Sequence, residues 1–346
     1  MSFRSWISVI TVLLVAGIIF ISRDELVRAW QLLGHVNLGI LSLLLPAQII
    51  TYYIGGEMMF SYLRSKGLTK EIPATDLTQM ALEMNFVNHV LPSGGVSGIS
   101  YMTWRLGKYN ISPGRATMAQ LVRFAMAFVA YVALLPIAIL VVTMDGGMNR
   151  WIIFISFSLV LATVIAGGGG MYILSSRRRM WKFADWLVRT GNRTVRKVSF
   201  GRKKNIFKYR QIERFFTDLH FDYKALQKDR RILIKPFLWG IAYTIGDVLM
   251  FVITFWAMGI IINPAPILIA YGVAIVAGTV SVTPGGAGAY EAVMISFLAI
   301  AGINKGEAIA GIILTRVILL LGTIVLGYVF YQKSLLKYGK QNDTSA

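Results

Sequence analysis

"SVTPGGAGAYEA", residues 281–292, interrupts an otherwise apolar stretch with Pro284, Gly285, Gly286 and Gly288. A break at membrane depth frees backbone N–H and C=O groups, each costing several kcal/mol if left in lipid. Such a break is tolerated where protein or a wet cavity covers it. An earlier stretch, "LPSGGVSG" at 91–98, breaks a second apolar region with Pro92, Gly94 and Gly95. Two breaks of one kind, far apart in one chain, point to a repeated device.

The surrounding chain fixes the class. Of 346 residues, 56% are hydrophobic and 15% charged, and the mean hydropathy is +0.63. That composition belongs to a polytopic membrane protein. There is no cysteine, which removes disulfides, zinc-thiolate sites and a cysteine nucleophile. The three histidines, His35, His89 and His220, are far apart in sequence, so no metal site is expected, and no cofactor.

A spanning helix needs about 20 mostly apolar residues. Six segments qualify: roughly 6–22, 36–62, 114–142, 150–174, 236–262 and 308–332. The first resembles a signal peptide but has a long apolar run and no clean cleavage site, so it is read as an uncleaved span. Regions 74–110 and 264–303 are each split by a Pro/Gly cluster into short arms. They read as re-entrant helical hairpins, with two thin spans each as the alternative. The expected fold is therefore all-α, with six spanning helices and two hairpins in one domain, 1–346.

The net charge of +19 is localised. From Arg177 to Lys235 there are 19 Lys/Arg against five acids. This is a basic cytoplasmic loop by the positive-inside rule, suited to an anionic lipid surface, and nucleic acid is not an expected partner. Tracing from it puts both termini in the cytoplasm and the protein in the cell membrane. The basic residues Arg23 and Arg28 then fall outside, against the rule. Within the loop, Ile212, Phe215, Phe216, Leu219, Tyr223 and Leu226 recur at helical spacing. They form either an interfacial amphipathic helix or one packed under the bundle.

The two halves match. "YYIGGEMMF" (52–60) resembles "AYTIGDVLMF" (242–251), aligning Glu57 with Asp247. Pro92 follows Glu57 by 35 residues and Pro284 follows Asp247 by 37; Arg123 follows Pro92 by 31 and Arg316 follows Pro284 by 32. The repeats are about 36–142 and 236–332. The traced topology inverts one against the other, a build recurrent in alternating-access transporters.

The chemistry rests on the breaks and the charges. A helix that restarts after a glycine break aims its first N–H groups and about half a positive charge at the break. Each tip is thus an anion cradle, or simply a tight turn. The match to a dinucleotide fingerprint is incomplete, because Glu291 stands where the last glycine belongs, and no Walker sequence occurs. Arg123 sits about eight residues into its helix, or ~12 Å at 1.5 Å per residue. Arginines in spans face a partner or a cavity. Arg123 pairs with Glu57 or Glu83, and Arg316 with Asp247 or Glu291, or both bind phosphate, one reachable from each leaflet. Asn85, Asn88 and His89 share one helix face before the first break, lining a polar path or bridging helices.

"VTPGGAGAYEA", the earlier "LPSGG" and an in-span arginine after each resemble the lysylphosphatidylglycerol synthase/flippase transmembrane family, which includes the membrane part of the multiple peptide resistance factor. The resemblance covers about 36–332. It implies a membrane domain that binds and flips, or presents, charged or sugar-linked lipids. The residues it picks out are Pro284, Gly285, Gly286, Gly288, Glu291 and Arg316, with Pro92, Gly94, Gly95 and Arg123 as counterparts. Lysyl-transferring members carry a large soluble domain after the membrane part; this sequence ends at Ala346, and lipid aminoacylation is not expected of it.

The expected activity is movement of an anionic phospholipid or polyprenyl-phosphate-linked lipid between leaflets, downhill or proton-coupled. Glu83, Glu291 and His89 are the titratable candidates. A membrane enzyme of lipid modification, a non-transporting subunit of such an enzyme, and a small-anion transporter remain open, as does a homo-oligomer.

Overall fold

The structure, a computed structural model, describes residues 23–91, 96–144, 209–280 and 286–338 continuously, with scattered positions at 17–20 and 154–190. Its described elements are all helical: α1 (Arg23–Leu33), α2 (Leu44–Ser65), α3 (Ala74–Val90), α4 (Val96–Gly107), α5 (Pro113–Met144), α6 (Tyr209–Lys228), α7 (Ile234–Ala257), α8 (Pro264–Val280), α9 (Ala289–Ile300) and α10 (Lys305–Tyr338). Among the described residues, four helical stretches are long and apolar enough to cross a membrane: Leu38–Ser65, Pro113–Met144, Arg230–Ala257 and Lys305–Tyr338. They carry four of the six expected spans. The other two, 6–22 and 150–174, lie almost wholly outside the described residues, as do Pro92, Gly94, Gly95, Pro284 and Gly285.

Helices α2 and α7 cross at the centre through glycines. A Cβ on Gly55 would stand 2.9 Å from the Tyr243 ring, and one on Gly246 would stand 2.6 Å from Thr51 Oγ1. In lipid the hydrophobic effect does not drive helices together, so close backbone approach at small residues supplies the packing. The contact order, 55 with 243 and 51 with 246, makes the two helices antiparallel. The Asn37 N–H donates to the Ala257 carbonyl at 2.8 Å, joining the start of one to the end of the other.

Each interrupted region folds back on itself. In α3/α4, the Asn88 side chain accepts from the Gly98 N–H at 2.9 Å near the tip. Tyr101 donates to Glu83 at 2.8 Å midway, and Arg105 reaches Asp76 at 4.0 Å where the two ends meet. In α8/α9 the close approach is glycine on glycine. A Cβ on Gly286, whose φ is +72°, would meet Gly278 Cα at 2.7 Å. Only glycine adopts that backbone freely and fits that gap.

The hairpins then dock crosswise. Hairpin α3/α4 packs on α10: a Cβ on Gly327 would stand 2.3 Å from Phe86 Cβ, and Ser334 donates to Glu83 at 2.5 Å. Helix α8 packs on α5, where the Tyr131 hydroxyl donates to the Ile269 carbonyl at 3.4 Å. Of the two readings of the amphipathic helix, packing holds for one face of α6. Leu219 and Leu226 join the core formed with α2, α3 and α5, while Phe221 faces outward. Ile212, Phe215 and Phe216 have side chains outside the described residues.

Candidate functional site

The polar centre lies where α5, α7, α8, α9 and α10 meet. Arg316, on α10, donates through Nε to Glu291 Oε1 at 2.7 Å. Its guanidinium carbon stands 4.4 Å from the centroid of the Tyr290 ring. Glu291 is the third residue of α9 and turns back on the start of its own helix. Its Oε2 accepts from the Gly288 N–H at 2.6 Å. Gly288 has φ +88°, the left-handed conformation that lets the helix begin so abruptly. One carboxylate thus occupies both the N–H of the residue that caps the helix and the arginine.

Asp247 holds a different set. The Tyr271 hydroxyl, from α8, donates to its carboxylate, and Tyr243 lies one turn earlier on the same face of α7. The charges of Arg123 and Arg316 both act on Asp247. Arg123, on α5, is 8% exposed. Its Nη1 lies 3.7 Å from Met84 Sδ, and its guanidinium carbon lies 5.4 Å from the Phe124 ring centroid. Asp247 thus lies in the field of two arginines 193 positions apart in sequence.

Of the two partners expected for Arg316, Glu291 is the one in contact. The pairings expected for Arg123 are corrected. Glu57 is taken by Arg64, which donates Nη1 to Oε2 and Nη2 to Oε1, both at 3.1 Å. Arg64 lies two turns further along the same helix face, so it reaches Glu57 without any tertiary contact. Glu83 is taken by Arg105 at 3.5 Å, with hydrogen bonds from Gln79, Tyr101 and Ser334. The fold of the hairpin brings Arg105 back onto Glu83. On the polar face of α3, Asn85 donates to the Ala81 carbonyl at 2.9 Å. His89 Nδ1 lies 2.8 Å from the Asn85 carbonyl oxygen, within reach of the field of Arg316. Asn88 is a hairpin tie.

Sequence reasoning passed over the tyrosines. Tyr243, Tyr271 and Tyr290 line the centre, and Tyr52 hydrogen-bonds Thr323 at 2.6 Å beside it. The available signal was the i, i+4 spacing of Tyr243 and Asp247, which puts both on one face of α7. Arg105, inside the first interrupted region, is 1% exposed. Among the described residues, no group of three or more His, Cys, Asp or Glu side chains gathers as a metal site.

The family model described as the lysylphosphatidylglycerol synthase TM region matches residues 6–327. A UPF0104 membrane protein of Methanothermobacter thermautotrophicus is 20% identical over 255 residues, covering 73% of this chain and 74% of that one. No solved structure matches the chain.

Proposed function

The chain belongs to the lysylphosphatidylglycerol synthase transmembrane family, and on that premise we propose that this membrane protein moves a lipid with an anionic phosphate headgroup between leaflets. The observation that carries the reading is the Arg316–Glu291 pair at 2.7 Å at the start of α9, with Arg123 from the other half buried in the same apolar bundle. Guanidinium is the side chain best matched to phosphate, through paired N–H donors. Charged groups at such depth mark substrate paths. The two arginines hold the phosphate, Asp247 and Glu291 balance them between turnovers, and the tyrosine hydroxyls meet the polar remainder of the headgroup.

The same premise orders the halves as inverted repeats, about 36–142 and 236–332. Each has a long helix, a hairpin and a second long helix in that order, and the first long helices run antiparallel. The hairpins are re-entrant, their Pro/Gly tips near the midplane, and six helices span. The protein sits in the cell membrane with both termini and the basic 177–235 segment in the cytoplasm, the segment facing anionic lipid.

The test is headgroup accessibility in proteoliposomes, with fluorescent anionic and zwitterionic phospholipids and bleaching of the outer leaflet. The full chain equilibrates the anionic probe, and Arg123→Ala and Arg316→Ala each slow it at least about tenfold, the value of one lost charge-assisted hydrogen bond. Movement of the probe at an equal rate in both variants, folded by thermal unfolding, refutes the phosphate-holding role. Turnover of a lipid headgroup by the purified chain favours a membrane enzyme instead.

A further inference from the structure

We infer that the Glu291 carboxylate is a tethered stand-in for the headgroup phosphate, and that an anionic headgroup displaces it and travels with one proton. The inference rests on the phosphate-holding role proposed for Arg316. Both carboxylate oxygens are committed, Oε2 to the Gly288 N–H at 2.6 Å and Oε1 to Arg316 Nε at 2.7 Å. These are the two donors a phosphate takes, an N–H at the start of a helix and a guanidinium. The site as it stands is thus occupied by an anion of the protein's own.

A phosphate cannot join that carboxylate; it must replace it. The displaced Glu291 keeps no guanidinium, and a carboxylate left unpaired in a buried setting takes up a proton rather than stay charged. The charge count then closes. Before entry, Arg316 and Glu291 sum to zero. After entry, Arg316 faces a phosphate monoanion, Glu291 is neutral, and the sum is again zero. The proton comes from the water on the side from which the headgroup enters. It leaves to the other side when the headgroup goes and the carboxylate returns to Arg316. No covalent bond is made or broken.

The neighbours favour Glu291 over the other acid. Asp247 keeps the Tyr271 hydroxyl and stays in the field of Arg123 when phosphate enters. Glu291 keeps none of these. The titratable and charged groups around the pair are Tyr290 on α9, Tyr271 on α8, Asp247 on α7, Tyr52 on α2, His89 on α3 and, beyond Asp247, Arg123 on α5.

The experiment uses the full chain in phosphatidylcholine vesicles carrying a short-chain fluorescent phosphatidylglycerol, with the leaflet ratio read at steady state by bleaching. Two drives are applied separately. One is a pH difference of one unit at zero potential; the other is a potential of about 59 mV, tenfold for one charge, at equal pH. An anion that moves with a proton is electroneutral. The wild type therefore enriches the probe about tenfold in the less acidic leaflet and ignores the potential. Glu291→Gln reverses this, following the potential and ignoring pH. A wild type that follows the potential, or one that equilibrates the probe evenly under both drives, overturns the proton role and leaves the flippase reading intact. A wild type that moves no probe removes both. The wild-type arms decide even if the variant fails to fold.

Discussion

Glu83 is fully buried on α3 and meets Arg105, 1% exposed on α4, at 3.5 Å. The guanidinium carbon of Arg105 also stands 4.1 Å from the Tyr338 ring centroid. Removing one member of a buried pair strands the other charge, at about 3–5 kcal/mol. Glu83→Ala is therefore expected to lower the thermal unfolding midpoint in detergent by about that loss. Glu83→Gln costs less, since its amide oxygen still accepts from Gln79 or Ser334. The exposed pair Arg23–Asp24, with side chains 66% and 80% exposed, is the contrast. Arg23→Ala is expected to change the midpoint by less than the equivalent of about 1 kcal/mol, because water and salt screen it. An Arg23 effect as large as that of Glu83 contradicts the burial argument.

At the scale of elements, the helix crossings position the site. A Cβ on Gly240 of α7 would stand 2.8 Å from the Met126 carbonyl oxygen and 3.0 Å from Ala130 Cβ on α5. The first of these atoms is backbone and cannot swing aside. Gly240→Ala is expected to cost about 1–3 kcal/mol, the range for overpacking. It pushes α7 from α5 one turn before Tyr243 and two turns before Asp247, so probe movement falls with stability. Gly107→Ala, at the end of α4 with nothing within 4 Å of the added Cβ, is expected to stay within about 0.5 kcal/mol. Thermal midpoints and flipping rates of the two variants, measured side by side, check both statements. Equal effects contradict the crossing geometry.

Over the whole molecule, the halves are interlocked. Helix α2 crosses α7, hairpin α3/α4 docks on α10, and α8 docks on α5, so the main contacts run between halves. Buried polar groups are satisfied across the division: Ser334 donates to Glu83, Gln48 to Thr323 and Tyr131 to the Ile269 carbonyl. Two fragments divided between residues 191 and 208, where Lys, Arg, Gly and Asn dominate, are expected to co-purify when co-expressed. Each fragment alone aggregates. A second fragment that stays monodisperse in detergent by itself contradicts the interlock.

The sequence by itself determined the class, four long apolar helices and the two interrupted regions, because each follows from local composition and from residues that break helices. It named Glu291 as one of two partners for Arg316, and the structure puts Glu291 in contact. It could not assign Arg123 or Glu57. For Glu57 an arginine on the same helix face lay nearer than any tertiary partner. For Arg123 the contact is Met84 on α3, a neighbour that carries no charge pattern. Only the tertiary structure decided that both arginines come within the field of Asp247 and that Glu291 caps the start of α9. Both depend on how the hairpins cross from one half onto the other, and helix packing sets that through shape at small residues, which a linear pattern of polarity does not encode.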